Sequence, residues 1–395
     1  MPVEIVGHLV CVVGMWRLVM ALGVCLWACG DNQLPSADAM LVAPPFQPAP
    51  HVPMPLAIPH AGTVLSNLHL VTITYQGYAA VDQVEAFGDA IVGSSWYTSV
   101  GAEYGIRAGS HAQKFRLGPA PASVTRAQIA AQIQQLIADG SVLPPAATGN
   151  QFLYMIYIPS NVMRDQGLTG VRGYHDVLTL DAMAVPRLAG VQVPIAVVFD
   201  DNHGLAATTA TAAHQLIDAV TDPYHRPMDG YYADPPMTDP WSLIRGEVAD
   251  LCNGEPPVVQ DGFTLPRVYS NHAAEARKSP CTPFVPDDTW SDVSAVPSTM
   301  QVVPRGGSVT FKLTGWSTSE VPDWKLSTQV SDRSELTLDQ MRPTFSSNMI
   351  NNGVSVTLTL HVPANATTGT AGGVYVLSGE NVRPWAVGIL VESGE

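Results

Sequence analysis

One stretch in the middle of the chain holds residues whose types and spacing suit metal chemistry. The letters TAAHQLIDAVTDP cover residues 211–223. Positions i and i+4 lie on one face of a helix, so His214 and Asp218 can point at a common metal ion, as the two histidines of the metallopeptidase motif HExxH do. The stretch therefore predicts a metal site; the ordinary alternative is a local hydrogen bond between an imidazole and a carboxylate.

Further ligands must come from another part of the chain. The segment WSLIRGEVADLC, residues 241–252, places Glu247 and Asp250 on one turn. A ligand set of His214, Asp218 and Glu247, with Asp250 as a secondary candidate, leaves a fourth position open and suits Zn²⁺, which binds nitrogen and carboxylate oxygen alike. We therefore expect zinc as the cofactor.

The catalytic base of a metallopeptidase is missing from this helix. In HExxH the residue after the first histidine is a glutamate that takes a proton from the metal-bound water. Here it is Gln215, whose amide cannot accept that proton, and loss of a general base typically removes about 10²- to 10⁴-fold of rate. Asp218 can serve as an alternative base only if the metal gives up a ligand. Hydrolysis is expected to be weak or absent.

Composition and charge exclude nucleic acid as a partner. The 395 residues carry a net charge of -15, with 19 Lys and Arg against 34 Asp and Glu, so no basic surface for a phosphate backbone is expected. Charged residues make up 13% of the chain, against about 25% in a typical soluble protein. Glycine and proline are plentiful at 33 each. This composition is typical of a loop-rich extracytoplasmic protein with two or three domains.

The N-terminal segment is predicted to direct export. From Met15 the letters MWRLVMALGVCLWACGD give one cation, an apolar run too short to span a bilayer as a helix, and then a cysteine. This resembles a bacterial lipoprotein signal over residues 1–29, with Cys29 lipidated and the true start near Met15. An uncleaved membrane anchor is the alternative. We predict a protein attached by this lipid to the Gram-negative cell envelope, at the periplasmic face or the outer surface of the outer membrane.

The cysteines agree with that compartment. Cys252 and Cys281 are the only cysteines outside the export segment. In an oxidising compartment the simplest prediction is that they bond to each other.

The elements indicate two folded regions after a tether. Residues 30–60 are rich in proline and have no periodicity, which predicts the tether. An α/β or α+β domain is predicted over 61–289. Its elements are a strand at 69–75, a helical segment at 81–105, a helix from Ser123 to Gly140, strands at 151–159 and 191–200, and then the helix that carries His214.

The last hundred residues have a different character. Stretches such as GGSVTFKLTGW and NNGVSVTLTLHVP alternate apolar and polar residues between Gly and Asn turns, which predicts an immunoglobulin-like β-sandwich over 290–395. Trp316, Trp324 and Trp385 either form a face for stacking sugars or belong to the core, and the core is the commoner role.

Several motifs together resemble one family. TAAHQLIDAVTDPY, GEVADLC and GFTLPRVYSNHAAEARKSPCTP resemble the exordium, or phosphate-induced, protein family and its bacterial relatives. TITYQGY, SSWYTSVGAEYG and RGYHDV follow the family's order upstream, so the resemblance covers roughly residues 65–285. It implies a secreted or surface protein whose first domain has a zincin-like mixed sheet with an active-site-like helix.

The resemblance also implies particular site residues and two departures. The resemblance places the family's helix histidine at His214 and its second helix acid at Asp218. The family's downstream acids correspond to Glu247 and Asp250, and its paired cysteines to Cys252 and Cys281. The family's helix glutamate is replaced by Gln215. A family cysteine is replaced by Arg172, which leaves His175, a secondary metal candidate, without its usual neighbour.

Three functional hypotheses follow. The favoured one is a surface lipoprotein with a zincin-like domain that keeps its metal and hydrolyses little or nothing. The second is an active metallohydrolase in which Asp218 or Glu247 acts as the base. The third is a non-catalytic binding or adhesion protein, in which the His214 cluster is structural and the β-sandwich contacts a protein or polysaccharide.

Overall fold

The computed structural model describes residues 45–224, 230–233, 235–243, 246–284, 289–331, 333–379 and 384–392. The predicted signal, Cys29 and the first part of the predicted tether lie outside these residues. No helix in the described part of the chain is long and apolar enough to cross a lipid bilayer.

Apolar runs in the first half of the chain form a mixed five-stranded sheet. Its strands are β1 (His69–Gln76), β2 (Ser110–Pro119), β3 (Phe152–Ile158), β4 (Gly173–Thr179) and β5 (Gln192–Phe199). Their spatial order is β2-β1-β3-β5-β4. All neighbouring pairs are parallel except β4 and β5, which are antiparallel. The three predicted strands are confirmed as β1, β3 and β5, whereas β2 and β4 were not predicted.

Helices cover both faces of this sheet. The four longer helices are α1 (Val81–Ile91), α2 (Ser95–Gly101), α3 (Arg126–Ala138) and α4 (Gly204–Thr221). Because side chains alternate along a strand, Met155 and Tyr157 of β3 join the core formed with α1, α2 and α4, whereas Ile156 and Ile158 join the core under α3. The strand is therefore apolar throughout, as a strand covered on both faces must be.

The start of α3 differs from the prediction. Thr125, not Ser123, caps the helix: its side chain accepts from the Gln128 N–H, and the Gln128 side chain accepts from the Thr125 N–H. Ser123 lies instead in the two-residue strand Ser123–Val124, which pairs with Met163–Arg164. The helix ends as predicted, next to Gly140 at a φ of 75°.

Short elements connect the larger ones. Two further helices are α5 (Asn271–Glu275) and α6 (Leu338–Met341), and the 3-10 turns are Ala102–Tyr104, Gln166–Leu168, Pro186–Leu188, Pro240–Leu243 and Asp250–Cys252. Other two-stranded pairs join Ile58–Pro59 to Tyr231–Tyr232, Val258–Gln260 to Phe263–Leu265, and Val268–Tyr269 to Cys281–Thr282.

Residues 45–60 pack against the fold. Ala57 is fully buried, and its N–H donates to the Asn271 side chain. The Ala49 N–H donates to Asn352, about three hundred residues away in sequence. The compact unit accordingly runs from Phe46 to Glu395, so this part of the predicted tether belongs to it. Proline does not prevent burial where neighbouring side chains satisfy the backbone groups.

A C-terminal β region, residues 291–391, consists of two sheets around one core. Its strands are β6 (Ser291–Val296), β7 (Gln301–Val303), β8 (Ser308–Ser317), β9 (Trp324–Val330), β10 (Thr344–Phe345), β11 (Met349–Ile350), β12 (Ser355–His361), β13 (Ala371–Ser378) and β14 (Pro384–Val391). One sheet has the order β6-β8-β12-β10 and the other β7-β14-β13-β9-β11. Phe311 and Leu358 from the first meet Val376 and Ile389 from the second in one hydrophobic cluster.

All three candidate sugar-stacking tryptophans, Trp316, Trp324 and Trp385, are buried in that cluster. This is the commoner of the two roles considered for them. The described residues therefore form a mixed α/β region followed by an all-β region.

Candidate metal centre

Helix α4 is positioned by its apolar face. Ala213, Leu216, Ile217 and Val220 are fully buried in the core shared with the sheet, at the spacing of an amphipathic helix. His214 lies beside this face and is partly exposed. Packing of the apolar residues therefore fixes where the metal-site candidates of the helix can point.

The edge strand β4 approaches α4 closely at Gly173. A Cβ atom at this glycine would lie 2.7 Å from Thr211 Cγ2 and 2.8 Å from the Val197 carbonyl oxygen. Gly173 and His175 pair with Val198 and Ala196 of β5, both of which belong to the core of α4. Because directly paired residues share a face of the sheet, His175 is brought to the α4 side.

Three side chains converge at one point. His214 Nε2 lies 3.1 Å from Asp218 Oδ2 and 3.2 Å from Asp250 Oδ1. One ligand atom from each of the three residues lies within 4.8 Å of the others, a spacing that can hold a metal ion. The side chain of Asp218 is 1% exposed and that of Asp250 is 39% exposed, so the group is buried on one side and open on the other.

Asp218 is held in place by the downstream segment. Its Oδ1 accepts from the Ala249 N–H at 2.9 Å, while Oδ2 faces His214. The Asp250–Cys252 turn follows at once, and the predicted disulfide between Cys252 and Cys281 is present. Both carboxylate oxygens of Asp218 therefore face a partner, in a place with almost no exposure to solvent.

Glu247 does not belong to this group, and Asp250 takes the place that was predicted for it. Glu247 Oε1 lies 3.5 Å from His175 Nε2, and both side chains are mostly buried. The physical reason is β4, whose antiparallel pairing supplies a histidine for Glu247. The secondary candidates Asp250 and His175 are thus both at the site, but only Asp250 joins the three-residue group.

The carboxyl groups repel one another in a buried place. Burial, and after it the charge of Asp250, holds the pKa of Asp218 well above its ordinary value, although the Ala249 N–H lowers it. Burial, and after it the charges of Asp218 and Asp250, raises the pKa of Glu247 in the same way. Such a group favours a bound positive charge, either protons or a cation. One imidazole nitrogen and two carboxylate oxygens form a donor set that fits Zn²⁺ with a position left open.

A cleft of about 500 Å³ opens onto the group. His214, Gln215 and Asp250 line it together with Arg172 and Gly173. Gln215, which stands where a metallopeptidase has its base, is 8% exposed and faces the same space as the metal candidates. The cleft therefore brings His214, Asp250 and Gln215 to one space, whereas Asp218, Glu247 and His175 are not among the residues that line it.

Sequence reasoning missed the Ala249 N–H and the partner of Glu247. No local pattern signals a backbone donor to Asp218, because the donor comes from a segment more than thirty residues away. The strand β4 contains the motif RGYHDV, but the alternation of apolar and polar residues in that motif does not predict its antiparallel pairing with β5.

Comparison with protein-family models, with characterised proteins and with solved structures finds no match for this chain. The resemblance to the exordium family therefore depends on the motifs quoted above.

Proposed function

We propose that the protein is an extracytoplasmic bacterial lipoprotein, anchored through Cys29, whose α/β region binds a divalent metal, zinc in the first place, and catalyses little or no hydrolysis. The observation that carries the proposal is the convergence of His214, Asp218 and Asp250 within 4.8 Å. We assign Asp250 as the third ligand in place of Glu247.

We further propose a zincin-like fold for the α/β region and an immunoglobulin-like fold for the C-terminal β region. Two arrangements support this: a mixed sheet leads directly into a helix with a metal-ligand pattern, and two antiparallel-rich sheets share one core. The absence of a carboxylate at position 215 supports weak or absent hydrolysis, because the open metal position then has no adjacent proton acceptor on the helix.

Metal analysis tests the proposal most directly. We expect the purified protein to carry a stoichiometric amount of zinc, and His214→Ala to lose it, because the imidazole is the only nitrogen donor in the group. Elemental analysis after dialysis is the measurement. His272→Ala is a matched control, since the His272 side chain is 79% exposed. Zinc retained by His214→Ala, or absent from both proteins, would leave the non-catalytic binding protein as the better hypothesis.

The role of position 215 has its own test. Gln215→Glu restores the proton acceptor, so peptidase activity should rise by about 10²-fold or more in the zinc-loaded protein. A panel of fluorogenic peptides measures it, and Gln215→Ala is the control because it opens the cleft without adding a base. A native protein that already cleaves peptides at the rate of Gln215→Glu would favour an active hydrolase with a different base.

A further inference from the structure

An exposed arginine lines the metal cleft. Arg172 borders the same space as His214 and Asp250, and the residue is exposed to solvent. The next residue, Gly173, approaches the turn of α4 that carries His214. The packing that assembles the metal group therefore also brings a guanidinium to the cleft.

Arg172 forms no ion pair with a carboxylate among the described residues. Arg164, by contrast, is paired with Asp201 and donates to the Val171 carbonyl at 2.8 Å. The Arg172 carbonyl accepts from the Phe199 N–H, which holds the backbone of Arg172 against β5. The local structure is thus held without the Arg172 guanidinium, which remains available to a ligand in the cleft.

The charges around the cleft change when a divalent metal is bound. The carboxylates of Asp218 and Asp250 offset the two charges of the ion, and His214 binds a metal as the neutral imidazole. Glu255 also lines the cleft, but it is only 9% exposed, whereas Arg172 is exposed. A ligand that enters the metal-loaded cleft therefore meets an open coordination position and a guanidinium.

We propose that the metal-loaded cleft binds a carboxylate, which occupies the open metal position and pairs with Arg172. The inference rests on the proposed function, because the metal supplies one of the two contacts. Carboxylate oxygen is a ligand of Zn²⁺, and the planar guanidinium matches a carboxylate through parallel hydrogen bonds. An ammonium group would be repelled by both positive charges, and a neutral hydroxyl would form no charge pair with Arg172.

The apolar part of the lining favours a carboxylate over phosphate. It consists of Val171, Ala210, Pro257 and Pro266, together with the small residues around them. These side chains contact an aliphatic chain well, and they offer no compensation for the additional charge that phosphate would lose to water. The ligand class is therefore a singly charged carboxylate with a short aliphatic chain.

Protein loaded with Co²⁺ in place of zinc tests the inference, because the visible absorption of Co²⁺ changes when a ligand enters its coordination sphere. Butanoate is the probe, and butanamide is its neutral isostere. We expect butanoate to change the spectrum in a saturable way and butanamide to leave it unchanged. Arg172→Gln should keep the metal but raise the dissociation constant for butanoate at least about threefold, as suits an exposed ion pair. Arg187→Gln is the matched control, since Arg187 is exposed and does not line the cleft.

The outcomes separate this inference from the proposed function. A protein that retains no Co²⁺ would contradict both. Retained Co²⁺ with a spectrum that ignores butanoate, or that responds equally in Arg172→Gln, would overturn only the carboxylate site. A tighter response to inorganic phosphate that depends on Arg172 would overturn it in favour of phosphate. Calorimetry of the metal-free protein should detect no butanoate binding, because the acidic group is then not neutralised. Binding of the same strength without metal would place the carboxylate elsewhere and contradict the proposal.

Discussion

At the scale of single residues, Asp218 connects the site to the rest of the fold. It accepts from Ala249, faces His214 and is almost completely buried. A buried carboxylate needs either a proton or a cation, and the neighbouring Asp250 increases that need. Asp218 therefore lowers the free energy of unfolding of the metal-free protein, whereas a bound cation would compensate its buried charge.

This cost gives a pH dependence with a definite sign. The pKa of Asp218 and that of Glu247 are raised in the folded protein, so above the ordinary carboxyl pKa of about 4 the folded state holds protons that the unfolded state has released. The free energy of unfolding of the metal-free protein should therefore fall as the pH rises above about 4. Asp218→Asn should flatten that fall, because the amide keeps the shape without the charge.

Urea denaturation in the presence of a chelator, between about pH 4 and pH 8, measures this dependence. Asp339→Asn is the control, since Asp339 is exposed on a short helix. Added zinc should reverse the trend, because the metal replaces protons and binds better as the ligands deprotonate. A metal-free stability that increases with pH across this window would show that the carboxylates are stabilised in their charged form.

At the scale of elements, the spacing between β4 and α4 decides whether the site can form. Gly173→Ala would introduce a Cβ 2.7 Å from Thr211 Cγ2 and 3.1 Å from Gln215 Cγ. Either the strand or the helix must shift, which typically costs about 1 to 3 kcal/mol of unfolding free energy. We expect the variant to unfold earlier in urea and to bind zinc more weakly.

Gly118→Ala is the matched control for this prediction. Gly118 also lies in a strand of the same sheet, but a Cβ there would have no neighbour within 4 Å. Equal stability losses in the two variants would mean that the effect comes from the backbone preference of glycine and not from the contact with α4.

At the scale of the whole molecule, the two regions are packed into one unit. Leu243 packs against two glycines of the C-terminal β region. A Cβ atom at Gly373 would lie 2.2 Å from Leu243 Cδ1, and a Cβ atom at Gly388 would lie 3.1 Å from the same atom. The Arg333 side chain donates to the Ser242 carbonyl. Each region therefore completes the packing of the other.

This packing predicts cooperative unfolding. Calorimetry of the protein should show one transition, and Leu243→Ala should lower the unfolding free energy by about 2 to 5 kcal/mol, the usual loss for a buried leucine. Leu143→Ala is the control, because Leu143 is 43% exposed and should cost little. Two separate transitions, of which Leu243→Ala moves only one, would show that the regions unfold independently.

The sequence by itself determined the parts of this protein that depend on local spacing. The i, i+4 relation of His214 and Asp218 and the strands that became β1, β3 and β5 follow from helix and strand periodicity. The disulfide followed from the number of cysteines outside the export segment, together with the predicted oxidising compartment. Each of these rests on interactions between near neighbours or on simple counting.

Only the tertiary structure decided which carboxylate completes the group. Glu247 and Asp250 are three residues apart and equally suitable by type, but the antiparallel strand β4 brings His175 to Glu247 and leaves Asp250 beside His214. The packing of residues 45–60 was also decided by the tertiary structure. Their proline-rich sequence does not predict that the side chains of Asn271 and Asn352 accept hydrogen bonds from the Ala57 and Ala49 N–H groups. Contacts between segments far apart in sequence decide which of two similar side chains joins a site, so the choice cannot be predicted from local sequence patterns.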